Sequence, residues 1–486
     1  MKTVLCFFAS LFFITLQAQQ YQPTLESLDS RPVPEWFGQA KFGIFVHWGV
    51  YSVPAYRPAE QKTPGGPFVM DGSYAEWYAP DVLYHPERND SFHVRNYGRD
   101  FTYFDFAKKF KAELYDPNFW ADLFKAAGAK YVILTAKHCD GYCMWPSKEL
   151  SSKNWNVSDV GPKRDVLGDL TKAVRSKGMR IGYYYAFMEY WTSTTTVWPE
   201  KASDRTGYYI PKAEWNKYKL SPKTHVAKIH NNIKYLVIKY KPDIIWADAE
   251  WDGDATYWKT LDLLSWIYNF APNKNEIVFN DRWFNGCRGK HIGYSTTEYG
   301  HGAQSIRKGV PWEECRGMGN SFGYNRAENI YNYKSSEELV HTLIKTVAAG
   351  GNLLLNVGPA ADGTIPVIMQ QRLVDIGDWL KVNGEAIYET VPYGNQRDIE
   401  NVHPDAGKTI FLTKKGKDLY VIITKWYENS IELRGIDKGT SIQLLGSGAV
   451  ILNEEKRSSF TIYPPQITPA KAPCNYAYVY KIAGCL

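Results

Sequence analysis

Two carboxylates stand at the ends of short stretches of strand-forming residues near the middle of the sequence, at Asp248 and Glu298. Asp248 follows Ile244, Ile245 and Trp246, and Glu298 closes the stretch YSTTE. In parallel α/β folds, the residues at the carboxyl ends of the strands line the active site. Two acids placed there could carry out glycoside hydrolysis, in which one acid attacks or orients water and the other protonates the leaving oxygen.

Other interpretations of these acids remain open from the residues alone. Asp248 could cap the following helix or hold a loop, since an acid at the end of a strand is common. Glu298 has competitors in or near loops at the same face of the fold, which are Glu250, Asp252, Asp254, Glu313 and Glu314. The sequence does not rank these acids against Glu298 with much force.

Two histidines and an arginine also close strand-like stretches. His47 ends FGIFVH, His138 lies in AKHCDGYCMW and Arg282 lies in NDRW. A lone histidine is more often a core residue bonded to a backbone carbonyl, but the recurrence on successive strands favours a role in holding sugar hydroxyls. Arg282 could hold a ring oxygen or a carboxylate with its planar fork of donors, or pair with Asp281 or another barrel acid.

Cofactor chemistry is less favoured. His138, Cys139 and Cys143 are types that bind zinc, but no second well-spaced cluster accompanies them, so we expect neither a metal nor an organic cofactor. The sequence contains no GxSxG motif and no GxxxxGK[ST] phosphate loop. The GGN at 350–352 fits a turn into a strand better than a dinucleotide-binding motif.

The elements that must position these residues alternate strand-like runs with amphipathic stretches. Predicted strands cover 42–47, 131–136, 180–185, the run ending at 248, 277–281, 294–298 and 352–357, with helices at 117–127, 165–177, from about 224, and 366–383. This alternation predicts a parallel sheet with right-handed crossovers, most economically a (β/α)8-like barrel, complete or lacking one strand or helix. The polar stretch 52–97 should be a long loop over the active-site face.

A different pattern begins after residue 388. Short runs at 408–413, 418–426, 430–433, 440–444, 459–462 and 476–482 are separated by Gly, Pro, Asn and Lys. This spacing predicts a small antiparallel β-sandwich. We therefore divide the chain into a signal peptide at 1–18, a catalytic barrel domain at 19–388 and a C-terminal β-sandwich domain at 389–486.

Composition and the N-terminus narrow the class of protein. The chain of 486 residues has 17 Trp and 35 Tyr, an excess that fits carbohydrate contact although most of these rings should pack in the core. A net charge of only +6 without a long basic run disfavours nucleic acid as a partner. Lys2 and the short apolar run 5–16 are typical of a secretory signal, too short for a membrane span, so we expect a secreted or periplasmic protein. Six cysteines remain after cleavage, too few for a disulfide framework, with Cys474 and Cys485 as one candidate pair.

A series of motifs runs in order from about Trp36 to Tyr388. They are AKFGIFVHWGVYSVPAY, YAEWY, AGAKYVILTAKHCDGYCMW, GPKRDVLGDL, the Asp248 strand, NDRW, TTEY, SFGYN and GGNLLLNVGPAADG. Together these motifs resemble the α-L-fucosidases of glycoside hydrolase family 29. The C-terminal part is similar to that family only in type.

The resemblance implies an exo-acting retaining enzyme that removes terminal L-fucose from a fucosylated oligosaccharide or glycoconjugate through a covalent fucosyl-enzyme. Asp248 matches the nucleophile, and Glu298 falls where relatives closest in pattern carry the acid/base, a position that varies within the family. The residues that resemble the fucose-binding set are His47, Glu76, Trp77, His138, Tyr184, Arg282 and Phe322. Retention implies carboxyl groups roughly 5–5.5 Å apart, against about 6.5–9.5 Å for inversion.

One position of the substrate-binding set departs from the family, because Cys139 stands where a second consecutive histidine is common. A thiol is shorter than imidazole and a weaker donor, so one sugar contact should be lost, replaced by water or shifted, at a cost of about 0.5–1.5 kcal/mol. Two other functions stay open. One is a retaining glycosidase for another sugar, such as a galactoside, and the other is a catalytically silent carbohydrate-binding protein.

Overall fold

The structure is a computed structural model that describes residues 21–59, 73–84, 86–190, 220–394, 402–436 and 439–486. The predicted signal peptide at 1–18 lies outside these residues. Among the residues described, no helix combines the length and the apolar character needed to cross a membrane.

The first part of the chain is built around eight parallel strands. These are β1 Phe42–Val46, β2 Tyr131–Lys137, β3 Arg180–Ala186, β4 Ile244–Asp248, β5 Val278–Phe279, β6 Ser295–Glu298, β7 Trp312–Gly317 and β8 Gly351–Val357. Their order is β5-β4-β3-β2-β1-β8-β7-β6, and a parallel bridge between Asn280 and Tyr294 joins the two ends of this order. The sheet therefore closes on itself, which confirms the predicted (β/α)8-like barrel.

Helices surround the barrel and precede or cover its strands. They are α1 Leu25–Asp29, α2 Glu35–Ala40, α3 Tyr78–Tyr84, α4 Pro86–Tyr97, α5 Tyr103–Lys109, α6 Pro117–Ala126, α7 Val166–Ser176, α8 Pro222–Tyr240, α9 Ala255–Trp258, α10 Thr260–Phe270, α11 Ser336–Ala348 and α12 Val367–Asn383. Asp116 and Ser221 accept backbone N–H groups at the starts of α6 and α8, each followed by proline at the first helical position. These local signals explain why the predicted helix limits agree with the structure to within two residues.

The strand β7 was not predicted, and the expectation that Glu313 and Glu314 lie in or near loops is wrong. The sequence WEECRG offers no apolar run, yet Glu313 points into the barrel and is fully buried. Its carboxylate accepts hydrogen bonds from Tyr131 Oη at 2.6 Å, Trp246 Nε1 at 2.9 Å and Tyr294 Oη at 3.2 Å. Burial raises the pKa of Glu313 to about 7, and these three donors make a polar strand acceptable in the core.

The segment expected to be a long loop over the active site contains helices. It forms the 3-10 turn Ala75–Trp77, then α3 and α4, whereas residues 60–72 lie outside the described residues. Aromatic pairs form a packed core in this segment despite its polar composition. Tyr56 stacks on Phe92 with ring centroids 3.7 Å apart. Ala75 N donates to Ser321 Oγ at 2.9 Å, which ties this segment to the loop after β7.

The C-terminal part forms two antiparallel sheets, which confirms the predicted β-sandwich. The strands are β9 Val391–Pro392, β10 Ile410–Lys415, β11 Asp418–Ile423, β12 Ile431–Arg434, β13 Ser441–Leu444, β14 Leu452–Lys456, β15 Ser459–Tyr463 and β16 Tyr478–Ala483, in the orders β13-β16-β11-β10-β9 and β12-β15-β14. The two strands that prediction missed are β9, which has only two residues, and β14, whose residues are all exposed. Cys474 and Cys485 are free thiols, so the candidate disulfide is not formed.

Closure of the barrel depends on a glycine between β5 and β6. Gly293 has a φ of +44°, and a Cβ added there would lie 1.6 Å from the carbonyl oxygen of Phe279, which accepts Tyr294 N. We predict that Gly293→Ala lowers the free energy of unfolding by about 3 kcal/mol or more, measured by denaturant titration. Gly178→Ala is the matched control, because Gly178 has a φ of +70° with no atom near its added Cβ. It should cost only about 1 kcal/mol, and equal losses in the two variants would contradict the steric explanation.

Candidate active site

A cavity of about 410 Å³ opens at the carboxyl ends of the barrel strands. It is lined by nine of the ten residues that the sequence nominated, namely His47, Glu76, Trp77, His138, Tyr184, Asp248, Arg282, Glu298 and Phe322. Cys139 is not among the lining residues. The cavity also brings in five residues that the sequence did not nominate, which are Phe45, Tyr74, Trp246, Arg288 and Cys315. Glu250, a competing acid in the sequence, and Trp251 complete the lining.

The two candidate catalytic acids are joined by one guanidinium nitrogen. Arg282 Nη1 donates to Asp248 Oδ1 at 3.0 Å and to Glu298 Oε2 at 3.1 Å. These two carboxylate oxygens therefore lie no more than about 6 Å apart, below the roughly 6.5–9.5 Å typical of inverting glycosidases. The open question about Arg282 is thus answered: it pairs with two barrel acids at the mouth of the cavity.

The orientation of Arg282 is set by the surrounding strands. Its Nε donates to Thr296 Oγ1 at 3.0 Å, and the guanidinium lies over the Trp246 ring at 4.5 Å from the centroid. Thr296 Oγ1 in turn donates to Asp281 Oδ1 at 2.7 Å. Asp281 therefore positions Arg282 through Thr296. A buried cation held on three sides has little freedom to leave the two acids.

Asp248 is arranged to be ionised. Tyr184 Oη donates to Asp248 Oδ2 at 2.8 Å, and Arg288 Nη2 lies 3.7 Å from Oδ1. Burial alone would raise the pKa of Asp248, but the charges of Arg282 and Arg288 and the hydrogen bond from Tyr184 outweigh it and lower the pKa below its ordinary value. An ionised carboxylate with directed oxygens is what a nucleophile requires.

Glu298 has a more open environment than Asp248. Its side chain is 28% exposed, against 15% for Asp248, and it also hydrogen-bonds the Tyr74 hydroxyl. Each acid precedes a non-glycine residue with positive φ, Ala249 at 58° and Tyr299 at 48°. These backbone conformations turn the chain sharply after each strand.

The two histidines are neutral and share a wall of the cavity with Tyr184. Burial lowers the pKa of His47 to about 4 and that of His138 to about 3. Asn356 Nδ2 donates to the Phe322 carbonyl, so Asn356 Oδ1 accepts from His47 Nδ1 at 2.7 Å. The remaining nitrogen of His47, Nε2, is therefore an acceptor for a ligand hydroxyl. The His138 ring stacks on Tyr184 at 5.5 Å, and its Nδ1 has no hydrogen-bond partner among the residues described.

Glu76 and Phe322 also line the cavity. Glu76 Oε2 accepts from Gly323 N at 2.8 Å and from Ser321 Oγ at 3.2 Å, so the segment before α3 grips the SFGYN loop. Burial raises the pKa of Glu76 to about 7. The Phe322 ring lies 4.9 Å from the His47 ring, which places an apolar surface beside a hydrogen-bonding group.

Cys139 lies behind the cavity wall. It is 1% exposed, and burial followed by the nearby charge of Asp248 raises the pKa of its thiol. Its backbone carbonyl accepts Tyr190 N at 2.9 Å. Among the described residues, no group of three His, Cys, Asp or Glu side chains has the arrangement of a metal site. The thiol therefore borders Asp248 without facing the space where a sugar would bind.

Arg288 and Glu250 change the distribution of charge around Asp248. Arg288 Nε donates to Glu250 Oε1 at 2.7 Å, which holds the arginine beside Asp248. Burial and the charge of Asp248 raise the pKa of Glu250. Glu250 was a competitor for a catalytic role in the sequence, but Arg288 lies in the loop FNGCRGK, which carries no strand pattern that could have indicated it.

Comparison with known proteins gives a consistent result. The family described as Alpha-L-fucosidase matches residues 11–385, and the one described as Alpha-L-fucosidase C-terminal domain matches residues 404–483. Tissue alpha-L-fucosidase of Homo sapiens is 37% identical over 96% of this chain and 92% of the human protein, and Alpha-L-fucosidase of Dictyostelium discoideum is 34% identical over 99% of both. The crystal structure of Thermotoga maritima alpha-fucosidase in complex with fucose is 34% identical, covers 95% of this chain and 100% of that chain, and has a TM-score of 0.75.

The raised pKa of Glu76 generates a prediction about stability. Because the pKa rises from 4.5 to about 7 on folding, the folded protein keeps a proton that the unfolded chain has released. This contribution is complete below pH 4.5 and is lost as the pH rises through 7. Relative to Glu76→Gln, wild type should therefore lose up to about 3 kcal/mol of unfolding free energy between pH 4.5 and 8. Denaturant titrations at several pH values measure the difference, and a difference that does not change with pH would contradict the assignment.

Proposed function

The chain belongs to the α-L-fucosidase family, and we propose that it is an exo-acting retaining α-L-fucosidase with Asp248 as nucleophile and Glu298 as acid/base. The observation that carries this assignment is the bridge from Arg282 Nη1 to both carboxylates. It keeps the acids close enough for a double displacement, whereas an inverting enzyme needs room for a water between carboxylate and sugar.

In the first step, Asp248 Oδ attacks the anomeric carbon as the bond from this carbon to the aglycone oxygen breaks. Glu298 transfers its proton to that oxygen, and a fucosyl ester forms on Asp248. Negative charge thus moves from Asp248 to Glu298 during this step. Arg282 contacts both oxygens at 3.0 and 3.1 Å, so it stabilises the charge before and after the transfer without moving.

In the second step, water replaces the aglycone. Glu298 removes a proton from this water, which attacks the anomeric carbon and releases Asp248 as a carboxylate. Tyr184 and Arg288 favour this departure, because the hydrogen bond at 2.8 Å and the positive charge at 3.7 Å stabilise the ionised acid. The released sugar keeps the anomeric configuration of the substrate.

The cavity wall fits a 6-deoxy sugar. His47 Nε2, His138 and Glu76 offer groups for the three hydroxyls, while Phe322 and Trp77 offer apolar surface for the methyl group at C6. The volume of about 410 Å³ lies near the lower end of the roughly 300–1,000 Å³ of small-molecule sites, which supports binding of a terminal sugar. Trp251 at the same opening could contact the aglycone sugar.

Both rival functions fit less well. An α-L-galactoside has the same ring hydroxyl pattern but carries a hydroxyl at C6, which would lose its hydrogen bonds against the Phe322 wall. A catalytically silent binding protein would not need the ionised Asp248 to be paired through Arg282 with a second acid, Glu298, which is 28% exposed. We keep the galactoside as the comparison substrate.

The cellular setting and the domain limits are part of the same proposal. We propose that residues 1–18 are a signal peptide, that the protein is secreted or periplasmic, and that it meets fucosylated oligosaccharides or glycoconjugates there. The positive start and short apolar run of residues 1–18 support export. The barrel domain is assigned to 19–388 and the β-sandwich domain to 389–486.

The nucleophile can be tested by chemical rescue. Asp248→Ala should reduce hydrolysis of an aryl α-L-fucoside by about 10⁴-fold or more, because no ester can form. Added azide should restore turnover and give β-L-fucosyl azide, identified by NMR. Glu250→Ala is the control, since loss of this neighbouring acid should not produce azide rescue. Rescue of the Glu250 variant in place of the Asp248 variant would overturn the assignment.

The acid/base can be tested by varying the leaving group. Glu298→Ala should slow hydrolysis of fucosides with a poor leaving group by about 10²–10⁴-fold, because the departing oxygen then lacks a proton donor. A dinitrophenyl fucoside needs no protonation, so its first step should be affected much less. Glu314→Gln should show no such dependence on the leaving group, and a dependence in this variant would move the role to Glu314.

The methyl-binding wall can be tested by substrate selectivity. Phe322→Ala should lower kcat/KM for an aryl α-L-fucoside about 10–100-fold and lower the galactoside value much less, because apolar contact with one methyl group is worth about 1–3 kcal/mol. Phe411→Ala is the control for a general loss of stability. Phe411 is also a buried phenylalanine, but it lies in β10 of the C-terminal sheets and does not line the cavity. Unchanged selectivity in the Phe322 variant would contradict this role.

A further inference from the structure

We infer that a second cavity, at the amino-terminal ends of the barrel strands, binds a small organic carboxylate whose charge pairs with Lys41. Lys41 immediately precedes β1, Trp312 begins β7 and Gly350 immediately precedes β8, and all three line this cavity. The active site lies at the other ends of the same strands. Val391 and Pro392 of β9 form a further part of the lining, so the cavity sits where the barrel meets the first strand of the β-sandwich.

The size and lining of the cavity suit a ligand with an apolar body. Its volume is about 690 Å³, within the roughly 300–1,000 Å³ of small-molecule sites. Apolar surface comes from Ile306, Val310, Pro311, Trp312, Val391 and Pro392. Val391 is half exposed, and Trp312 is held by a hydrogen bond from Nε1 to the Ala349 carbonyl at 3.2 Å. The wall is therefore preformed and open to solvent.

Lys41 supplies an unmatched positive charge inside this cavity. The residue is only 3% exposed, and within the described part of the chain no acidic group raises the pKa of its ammonium group. Burial lowers the pKa of Lys41 to about 8, with no carboxylate close enough to offset it. A cation on a mostly buried side chain with no acidic neighbour is poorly solvated, so an anion that enters the cavity gains a favourable contact. The backbone of Lys41 is fixed in place, because its carbonyl accepts a hydrogen bond from Leu353 N at 2.8 Å.

The other charged groups of the lining are already engaged or add positive charge. Glu389 pairs with Lys415 at 2.7 Å, and Glu35 accepts from Gln39 at 2.7 Å. Arg307 donates through Nη2 to the carbonyls of Ile292 and Gly293. Lys308 is a second positive group of the lining. The lining therefore holds three positive groups, Lys41, Arg307 and Lys308, against the carboxylates of Glu35 and Glu389, and its net charge is positive.

These features select among anions. One deep ammonium group beside apolar walls fits a monocarboxylate with an aromatic or aliphatic body. A phosphate group would require several converging donors, and the guanidinium that could supply them is committed to backbone carbonyls. A metal cation would be repelled by Lys41 and Lys308. The second cavity is separate from the active site, because none of the residues that line it lines the first.

The test uses the whole protein with 3-phenylpropionate as probe and saturating L-fucose to occupy the active site. Calorimetry at pH 7 should give one binding event with a Kd below about 1 mM. The neutral analogue 3-phenylpropanamide and inorganic phosphate should each bind at least about 10-fold more weakly. Equal binding of the amide would remove the role of charge, equal binding of phosphate would remove the role of the apolar walls, and no binding of the probe would overturn the inference.

Variants assign the site to Lys41. Lys41→Met should lose at least about 10-fold in affinity for the probe, because it removes the charge and keeps the length of the side chain. Lys308→Met should change the affinity much less. If Lys41→Met does not fold, the wild-type protein can be acetylated at pH 8 and the modified lysines identified by mass spectrometry. Lys41 should be acetylated in free protein and protected by the probe but not by its amide, and acetylation that the probe does not change would contradict the site.

Discussion

The position of one buried guanidinium sets the geometry of the whole active site. Two carboxylates at the mouth of a barrel repel each other, and a positive charge between them lowers the cost of their approach within about 6 Å. Arg282 provides this charge through a single nitrogen. The same contact lowers the pKa of Asp248, so one interaction both brings the acids together and keeps the nucleophile ionised.

Trp246 connects this contact to the barrel core. Its ring lies beneath the Arg282 guanidinium at 4.5 Å, while its Nε1 donates to Glu313 at 2.9 Å. Glu313 also accepts hydrogen bonds from the hydroxyls of Tyr131 in β2 and of Tyr294, the residue before β6. A polar layer inside the barrel therefore supports the charged layer above it. This layering explains why a barrel of this kind tolerates a buried glutamic acid at a position where an apolar residue would pack more simply.

Much of the fold and of the site could be predicted because local signals were strong. Asp248 and Glu298 each end a strand, so parallel pairing alone brings them to one face, and His47 and His138 follow by the same logic. Tyr184 was identified only through the family resemblance. Prediction failed where the stabilising partners come from elsewhere. The sequence of β7 is polar, and the hydroxyl and indole groups that donate to Glu313 lie in three other parts of the chain. No local pattern could therefore predict this strand. Arg288 lies in a loop and meets Asp248 only through tertiary structure, and Cys139 is turned away from the cavity although its neighbour His138 lines it.

The most direct test of this account is the configuration of the sugar at the moment of release. Proton NMR can follow hydrolysis of an aryl α-L-fucoside and identify the anomer that forms before mutarotation. Carboxylates held by one guanidinium nitrogen predict a double displacement, so α-L-fucose should appear first and the β anomer should follow only as equilibrium is reached. Initial release of β-L-fucose would mean that water attacks directly. That result would contradict the assignment of Asp248 as a nucleophile that forms an ester.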